Sequence, residues 1–181
     1  APVISVLIGG ETSDFAMPDA WMEKFIGQID TACREASGVC AATTSRRTPE
    51  SAERLLKERL ENHPRCQLML LASRDKLNGT MDGLLAMATV IVVTGESISM
   101  VSEACSSGHP VVAVRLPRRD KSEQETKHEL FLRQLQSEGL LEIASVDEIA
   151  QAVKRARACI PSPGRLDPGL PLREALSRLL I

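Results

Sequence analysis

The chain has no tyrosine, one tryptophan and three phenylalanines in 181 residues. Aromatics amount to 2% of the sequence, which leaves few faces on which nucleic-acid bases could stack. Charge of one sign is missing too. Lys and Arg number 22 and Asp and Glu 24, for a formal net charge of -2. That balance argues against a nucleic-acid partner, because a phosphate backbone is held by a clear basic excess. No apolar run approaches the roughly 20 residues of a membrane-spanning helix, so no transmembrane segment is expected. The start lacks a basic stretch and its apolar run breaks at Gly9-Gly10, so no signal peptide is read. A cytoplasmic location is the expectation, with peripheral membrane association left open.

Cysteine chemistry is sparse as well. Cys33, Cys40, Cys66, Cys105 and Cys159 are odd in number, and no two form a CxxC pair. A disulfide framework or a zinc site is therefore not expected, and no metal is assigned. The thiols read as small buried hydrophobes in a reducing compartment. HExxH, GxSxG, Walker A and GxGxxG patterns are absent, which removes the commonest hydrolase, NTPase and dinucleotide-binding readings. No internal repeat or low-complexity segment occurs.

What is present is an alternation of strand and helix signals. Hydrophobic residues make up 43% of the chain, enough for one globular domain without staples. Apolar, β-branched runs over residues 2–8, 39–43, 66–72, 90–93, 110–114 and 140–144 read as six strands. Helical spacing fills the intervals. A helix opens near Pro18, carries Trp21, Met22, Phe25, Ile26 and Ile29 on one face, and ends at Gly38. A second begins at Thr48-Pro49, with Thr48 as cap and Glu50 and Glu53 at the positive end of the dipole. Shorter helices are expected over 81–88, 98–107 and 123–138, and another from the Ser145–Glu148 capping box to about Cys159. The run Val90-Ile91-Val92-Val93 is apolar on both faces, as in a parallel sheet covered on both sides. The fold class expected is α/β: a doubly wound, Rossmann-like parallel sheet of about six strands, order 3-2-1-4-5-6, with helices on both faces. Residues 1–160 would form this domain, and 161–181 a loop-like tail with a terminal helix.

In such a sheet, ligands bind beyond the carboxyl ends of the strands, where the winding reverses. Three polar loops should converge there. Gly9-Gly10 could bring backbone N–H groups close to phosphate oxygens, or could be a plain tight turn. Ser45, Arg46 and Arg47 precede a helix N-terminus and suit an anion, or form a solvated basic loop. Thr94-Gly95-Glu96-Ser97-Ile98-Ser99 is richest in hydroxyls. Its serines and the N–H groups of the following helix could form an anion cup. Along that helix Ser99, Ser102, Glu103 and Ser106 share one face. Glu103 could accept hydrogen bonds from vicinal ribose hydroxyls, or could simply face water. Glu96 could orient a sugar hydroxyl, or be a surface acid. His63, His109 and His128 fall on different elements and compose no catalytic constellation. The segment from Arg115 to Lys121 reads as a basic surface loop.

The segments Ser45-Arg46-Arg47-Thr48-Pro49 and Val93-Thr94-Gly95-Glu96-Ser97-Ile98-Ser99-Met100-Val101-Ser102-Glu103-Ala104 together resemble the mitochondrial-fission ELM family, which has plant and bacterial members. Gly9-Gly10, then Gly108, Pro110 and Val111, and later Lys127, Phe131, Leu135 and Gly139, extend the likeness along most of the chain. Three positions depart from the family pattern. Asn78-Gly79-Thr80 replaces Asn-Pro-Tyr, Thr89 stands where an Asp usually ends the helix, and Glu96 replaces an Asp before Ser97. The resemblance implies the C-terminal, nucleotide-sugar-binding half of a GT-B fold, with an N-terminal domain of the same protein outside this sequence. It implies that Ser97, Ser99 and Met100 hold diphosphate and Glu103 holds ribose. The substrate would be a nucleotide-diphosphate-sugar, UDP-linked for preference, and no separate cofactor is called for. On that view the whole protein is a glycosyltransferase or nucleotide-sugar epimerase, and this part alone is inactive. The same resemblance allows a second function: a non-catalytic, ELM-type interaction module that recruits a protein partner. Candidate binding residues are Gly9, Gly10, Ser45, Arg46, Thr94, Glu96, Ser97, Ser99, Met100 and Glu103.

Overall fold

A computed structural model describes residues 1–75, 79–120 and 124–159. Six strands lie in one parallel sheet: β1 (Val3–Ile8), β2 (Val39–Thr44), β3 (Cys66–Leu70), β4 (Val90–Thr94), β5 (Val111–Val114) and β6 (Glu142–Ala144). Their order is β3-β2-β1-β4-β5-β6, the order expected from the sequence. The helices are α1 (Asp19–Glu35), α2 (Glu50–Leu60), α3 (Thr80–Met87), α4 (Ile98–Ser106), α5 (Lys127–Ser137) and α6 (Ile149–Ala158).

The two faces of the sheet separate the core in two. Ile4, Val6 and Ile8 of β1, with Val90 and Val92 of β4, pack against α1, α2 and α6. Leu7, Ile91 and Val93 face the other way, onto α3, α4 and α5. Successive strand residues point to opposite faces, so both rows of β4 must be apolar. Each side chain from Val90 to Val93 is 0% exposed. The two helices that follow β1 and β2 cover one face, and the two that follow β3 and β4 cover the other. The winding therefore reverses between β1 and β4, and their carboxyl ends open one crevice.

Helix ends differ from expectation in four places. Thr48 caps nothing: α2 starts after Pro49 without a side-chain cap, and the Thr48 hydroxyl donates instead to the Gly9 carbonyl. The left-handed residue that closes α1 is Ser37, φ 49°, rather than Gly38. Gly38 is needed for another reason. A Cβ there would lie 2.6 Å from the Pro2 carbonyl oxygen, so only glycine lets the chain pass. After β5, α5 begins at Lys127 behind Thr126, whose hydroxyl accepts the Glu129 N–H at 3.2 Å while Glu129 accepts the Thr126 N–H at 2.7 Å. At the last helix, Glu148 takes the N–H and hydroxyl of Ser145 at 3.0 and 2.6 Å. The chain there makes one 3-10 turn, Val146–Glu148, before α6. The expected tail and terminal helix over 161–181, and Asn78, lie outside the described residues.

Candidate functional site

The loops after β1, β2 and β4 meet at the crevice, and Gly9-Gly10 is where they touch. The Gly9 N–H donates to Thr94 Oγ1 at 2.7 Å, and the Gly10 N–H to Glu96 Oε1 at 2.6 Å. On the other side, the Glu11 N–H donates to the Arg47 carbonyl at 3.3 Å. These approaches leave no room for side chains. A Cβ on Gly9 would sit 1.7 Å from Glu96 Oε1, and one on Gly10 would sit 2.1 Å from the Arg47 carbonyl oxygen. Gly10 is thus required by the Arg47 backbone, and Gly9 is confined by the present position of the Glu96 carboxylate. In this structure both N–H groups are engaged within the chain, by Thr94 and Glu96.

Thr94, Glu96 and Ser97 are 0, 2 and 4% exposed. Glu96 is no surface acid. Its Oε1 holds Gly10, and its Oε2 is buried with no hydrogen-bond partner. Among the described residues it forms no ion pair. Ser97 stands at the N-cap of α4 without using its side chain as a cap. Its hydroxyl lies 3.4 Å from that of Ser99, which is exposed. The Val101 N–H is bound by the Ser97 carbonyl at 3.0 Å. The N–H groups of Ser99 and Met100 lie in the first turn, where a helix offers no acceptor. With two hydroxyls beside them, these groups are the part of the crevice that suits an anion. The Met100 side chain is 8% exposed and packs in the core, so only its backbone could serve a ligand.

The remaining candidates lie further out. Ser45 is half-buried, and its hydroxyl accepts the Arg47 N–H at 3.1 Å, which shapes the loop after β2. Arg46 is exposed and forms no ion pair among the described residues. Glu103 is exposed on the face of α4 that carries Ser99, while Val101 and Cys105 of the opposite face are buried. Cys105 offers no nucleophile: burial pushes its thiol up to about 12.

Three features escaped the sequence reading. Glu53, read there as a helix-dipole or surface charge, is 7% exposed. It accepts from the Thr44 hydroxyl at 2.5 Å and from the Ser73 hydroxyl. Thr44 in turn accepts the Ala72 N–H at 2.8 Å, so one carboxylate fixes the ends of β2 and β3. The basic segment after β5 is tied down. Phe15 and Arg118 form an antiparallel bridge, and Arg119 pairs with Glu11 at 2.6 Å. Finally, Phe15, Glu96, Arg115, His128, Glu129 and Leu132 line a small cleft between the ends of β4 and β5 and helix α5. His128 meets Phe15 edge-on there, with centroids 5.7 Å apart. Only contact across loops distant in sequence makes these three features, and no local pattern announces that.

The model of the family described as Mitochondrial fission ELM1 matches residues 1–158. The chain belongs to that family. A curated relative, the uncharacterized protein RP120 of Rickettsia prowazekii (strain Madrid E), is 29% identical over 133 residues. That match covers 72% of this chain and 35% of the relative, so the chain spans about a third of the length of the curated protein it matches. Among solved structures, the ELM1-family chain is similar to UGT71G1 of Medicago truncatula, which was solved in complex with UDP-glucose. The two share 10% identity at a TM-score of 0.45, over 98% of this chain and 36% of that one. Among the described residues, no helix is long and apolar enough to cross a membrane. Among the same residues, no cluster of His, Cys, Asp or Glu could hold a metal ion.

Proposed function

We propose that the crevice binds the diphosphate of a nucleotide-sugar, UDP-linked for preference, and that the domain is the donor-binding half of a GT-B-type glycosyltransferase or nucleotide-sugar epimerase. The observation that carries this is the start of α4. Its open first turn and the Ser97 and Ser99 hydroxyls lie at the reversal point of the sheet, and exposed Arg46, which forms no ion pair among the described residues, follows the neighbouring strand β2. An anion there would gain helix N–H donors and the positive end of the helix dipole together. Glu103, further along α4, is the acceptor for ribose hydroxyls in this reading. Catalysis by the whole protein would rest on positioning the donor and stabilising charge on the leaving diphosphate.

One observation favours the second reading, a non-catalytic module that recruits a protein partner. The glycine part of the crevice is already filled by Thr94 and Glu96. Thermal denaturation with UDP and UDP-sugars separates the two. Millimolar UDP should raise the melting temperature, and Glu103→Ala should reduce that rise, since an unsatisfied ribose hydroxyl pair costs about 1–3 kcal/mol. No shift with any nucleotide or nucleotide-sugar would leave the recruiting module as the better account.

A further inference from the structure

The buried Glu96 carboxylate is held oddly. Among the described residues, one N–H, from Gly10 at 2.6 Å, is the whole of its hydrogen bonding. Its second oxygen is sealed from solvent and has no partner, and no cation lies within ion-pair distance among the described residues. A carboxylate removed from water normally keeps several donors or a counter-ion, because burial without them is strongly unfavourable. Ser97, next in sequence, has its hydroxyl turned to Ser99 rather than to Glu96. Meanwhile Glu96 Oε1 lies against the Gly9 backbone, where even a methyl group would clash, and it takes the Gly10 N–H. A backbone N–H at a glycine loop beside a helix N-terminus is the arrangement that receives phosphate oxygens.

We infer that Glu96 is an internal stand-in for the ligand's anion. In the empty protein its carboxylate occupies the glycine seat, and an arriving diphosphate must displace it. The displaced side chain has somewhere to go. Glu96 also lines the cleft towards α5, where Arg115 offers a guanidinium and His128 has a buried Nδ1 without a partner. Glu129 on the same wall is already engaged by Arg118 at 3.3 Å and by the Thr126 N–H. Turning towards Arg115 and His128 would give Glu96 donors that it lacks in its present place. It would also free the Gly10 N–H for a phosphate oxygen. Occupation of the crevice is thereby coupled to the shape of the cleft beneath α5. This inference rests on the nucleotide reading above and adds to it a self-occluded state.

Glu96→Gln in the 181-residue chain tests it. The amide oxygen still accepts the Gly10 N–H, so the fold is retained, but the competing charge is gone. Calorimetric titration with UDP and with inorganic pyrophosphate should show affinity raised about tenfold or more over wild type for both. Pyrophosphate isolates the anion seat from base and ribose contacts. Equal affinities in the two proteins, or weaker binding by the variant, would overturn the inference and leave the nucleotide reading standing. Failure of both proteins to bind either probe would remove the nucleotide reading and the inference with it. Glu96→Ala gives the same comparison if its unliganded melting temperature matches that of Glu96→Gln.

Discussion

Glu11 and Arg119, 108 residues apart, meet in an ion pair of 2.6 Å. The same guanidinium donates through Nε to the carbonyls of Thr12 and Phe15, at 3.0 and 3.2 Å. The Arg119 N–H reaches the Asp14 carbonyl at 2.8 Å, and the Ala16 N–H reaches that of Pro117 at 2.9 Å. The loop after β1 is thus buttoned onto the loop after β5, across the carboxyl end of β4. Arg119 and Glu11 side chains are 43 and 37% exposed, so solvent screens the charge pair itself. Arg119→Ala should lower stability by only about 1 kcal/mol. Its larger effect should be local. Amide exchange at residues 12–17 should accelerate much more than exchange in β1, which hydrogen-exchange mass spectrometry can resolve. Uniform acceleration across the sheet would contradict this view of the loop.

The glycines of the chain separate into those that admit a neighbour and those that do not. Gly10→Ala would drive a Cβ to 2.1 Å from the Arg47 carbonyl, a backbone atom that cannot swing aside. At Gly9 the obstacle is the end of the Glu96 side chain, which can move. Gly27, within α1, has nothing within 4 Å of its Cβ position. Overpacking costs about 1–3 kcal/mol, and alanine in an exposed helix gains about 0.5–1 kcal/mol over glycine. Urea denaturation should therefore rank stability Gly27→Ala, wild type, Gly9→Ala, Gly10→Ala, from highest to lowest. Gly9→Ala as harmful as Gly10→Ala would mean that Glu96 is fixed in place.

Glu53 should be among the most sensitive charged residues for folding. Its carboxylate is the shared acceptor for the hydroxyls of Thr44 and Ser73, and Thr44 holds the Ala72 N–H. Glu53→Ala leaves the buried Thr44 hydroxyl without its acceptor, whereas exposed Ser73 can turn to water. A loss of about 1–3 kcal/mol in chemical denaturation is expected. Arg54, next in sequence but exposed, supplies the control: Arg54→Ala should change stability by less than about 0.5 kcal/mol.

How much of this was legible in advance depended on the range of the interaction. A parallel sheet covered on both faces follows from alternation and from β4 being apolar on both faces, both of which are local patterns, and the order 3-2-1-4-5-6 is one of the few windings such a sheet adopts. Convergence of Gly9, Thr94 and Glu96 follows from that order. What happens at the point of contact does not. Glu96 and Glu53 both sit in polar surroundings in the sequence and look like surface acids. Their burial is decided by loops 86 residues away for Glu96 and 20 for Glu53. Thr48 has the composition of a helix cap, yet the Gly9 carbonyl, brought in by β1, competes for its hydroxyl and wins. Arg119 reads as solvated until the loop after β1 is placed against it. Periodicity sets the framework, whereas the polar contacts inside the crevice depend on which loops the framework brings together.

The cysteines permit a test in which two effects oppose each other. Cys33, Cys40 and Cys66 form a row from α1 through β2 to β3, and Cys40 and Cys66 are register partners on adjacent strands. The Cys66 thiol donates to the Leu68 carbonyl at 3.6 Å, and its neighbour Cys40 and partial burial hold it above the usual thiol range. The Cys40 thiol, buried beside Cys33, is pushed up to about 12. The Cys33 thiol is lowered by its neighbour Cys40. Acidity alone would make Cys33 the most reactive of the row. Burial opposes it, since Cys33 is 0% exposed and Cys40 2%. A reagent needs contact with sulfur, and a sealed thiolate offers none, so burial should decide. Alkylation of the native protein at mildly alkaline pH, followed by mass spectrometry, should label exposed Cys159 first and half-buried Cys66 slowly. Cys33, Cys40 and Cys105 should react only after denaturant is added. Labelling of Cys33 at a rate near that of Cys159 would show that the packing of α1 on the sheet opens on the timescale of the reaction.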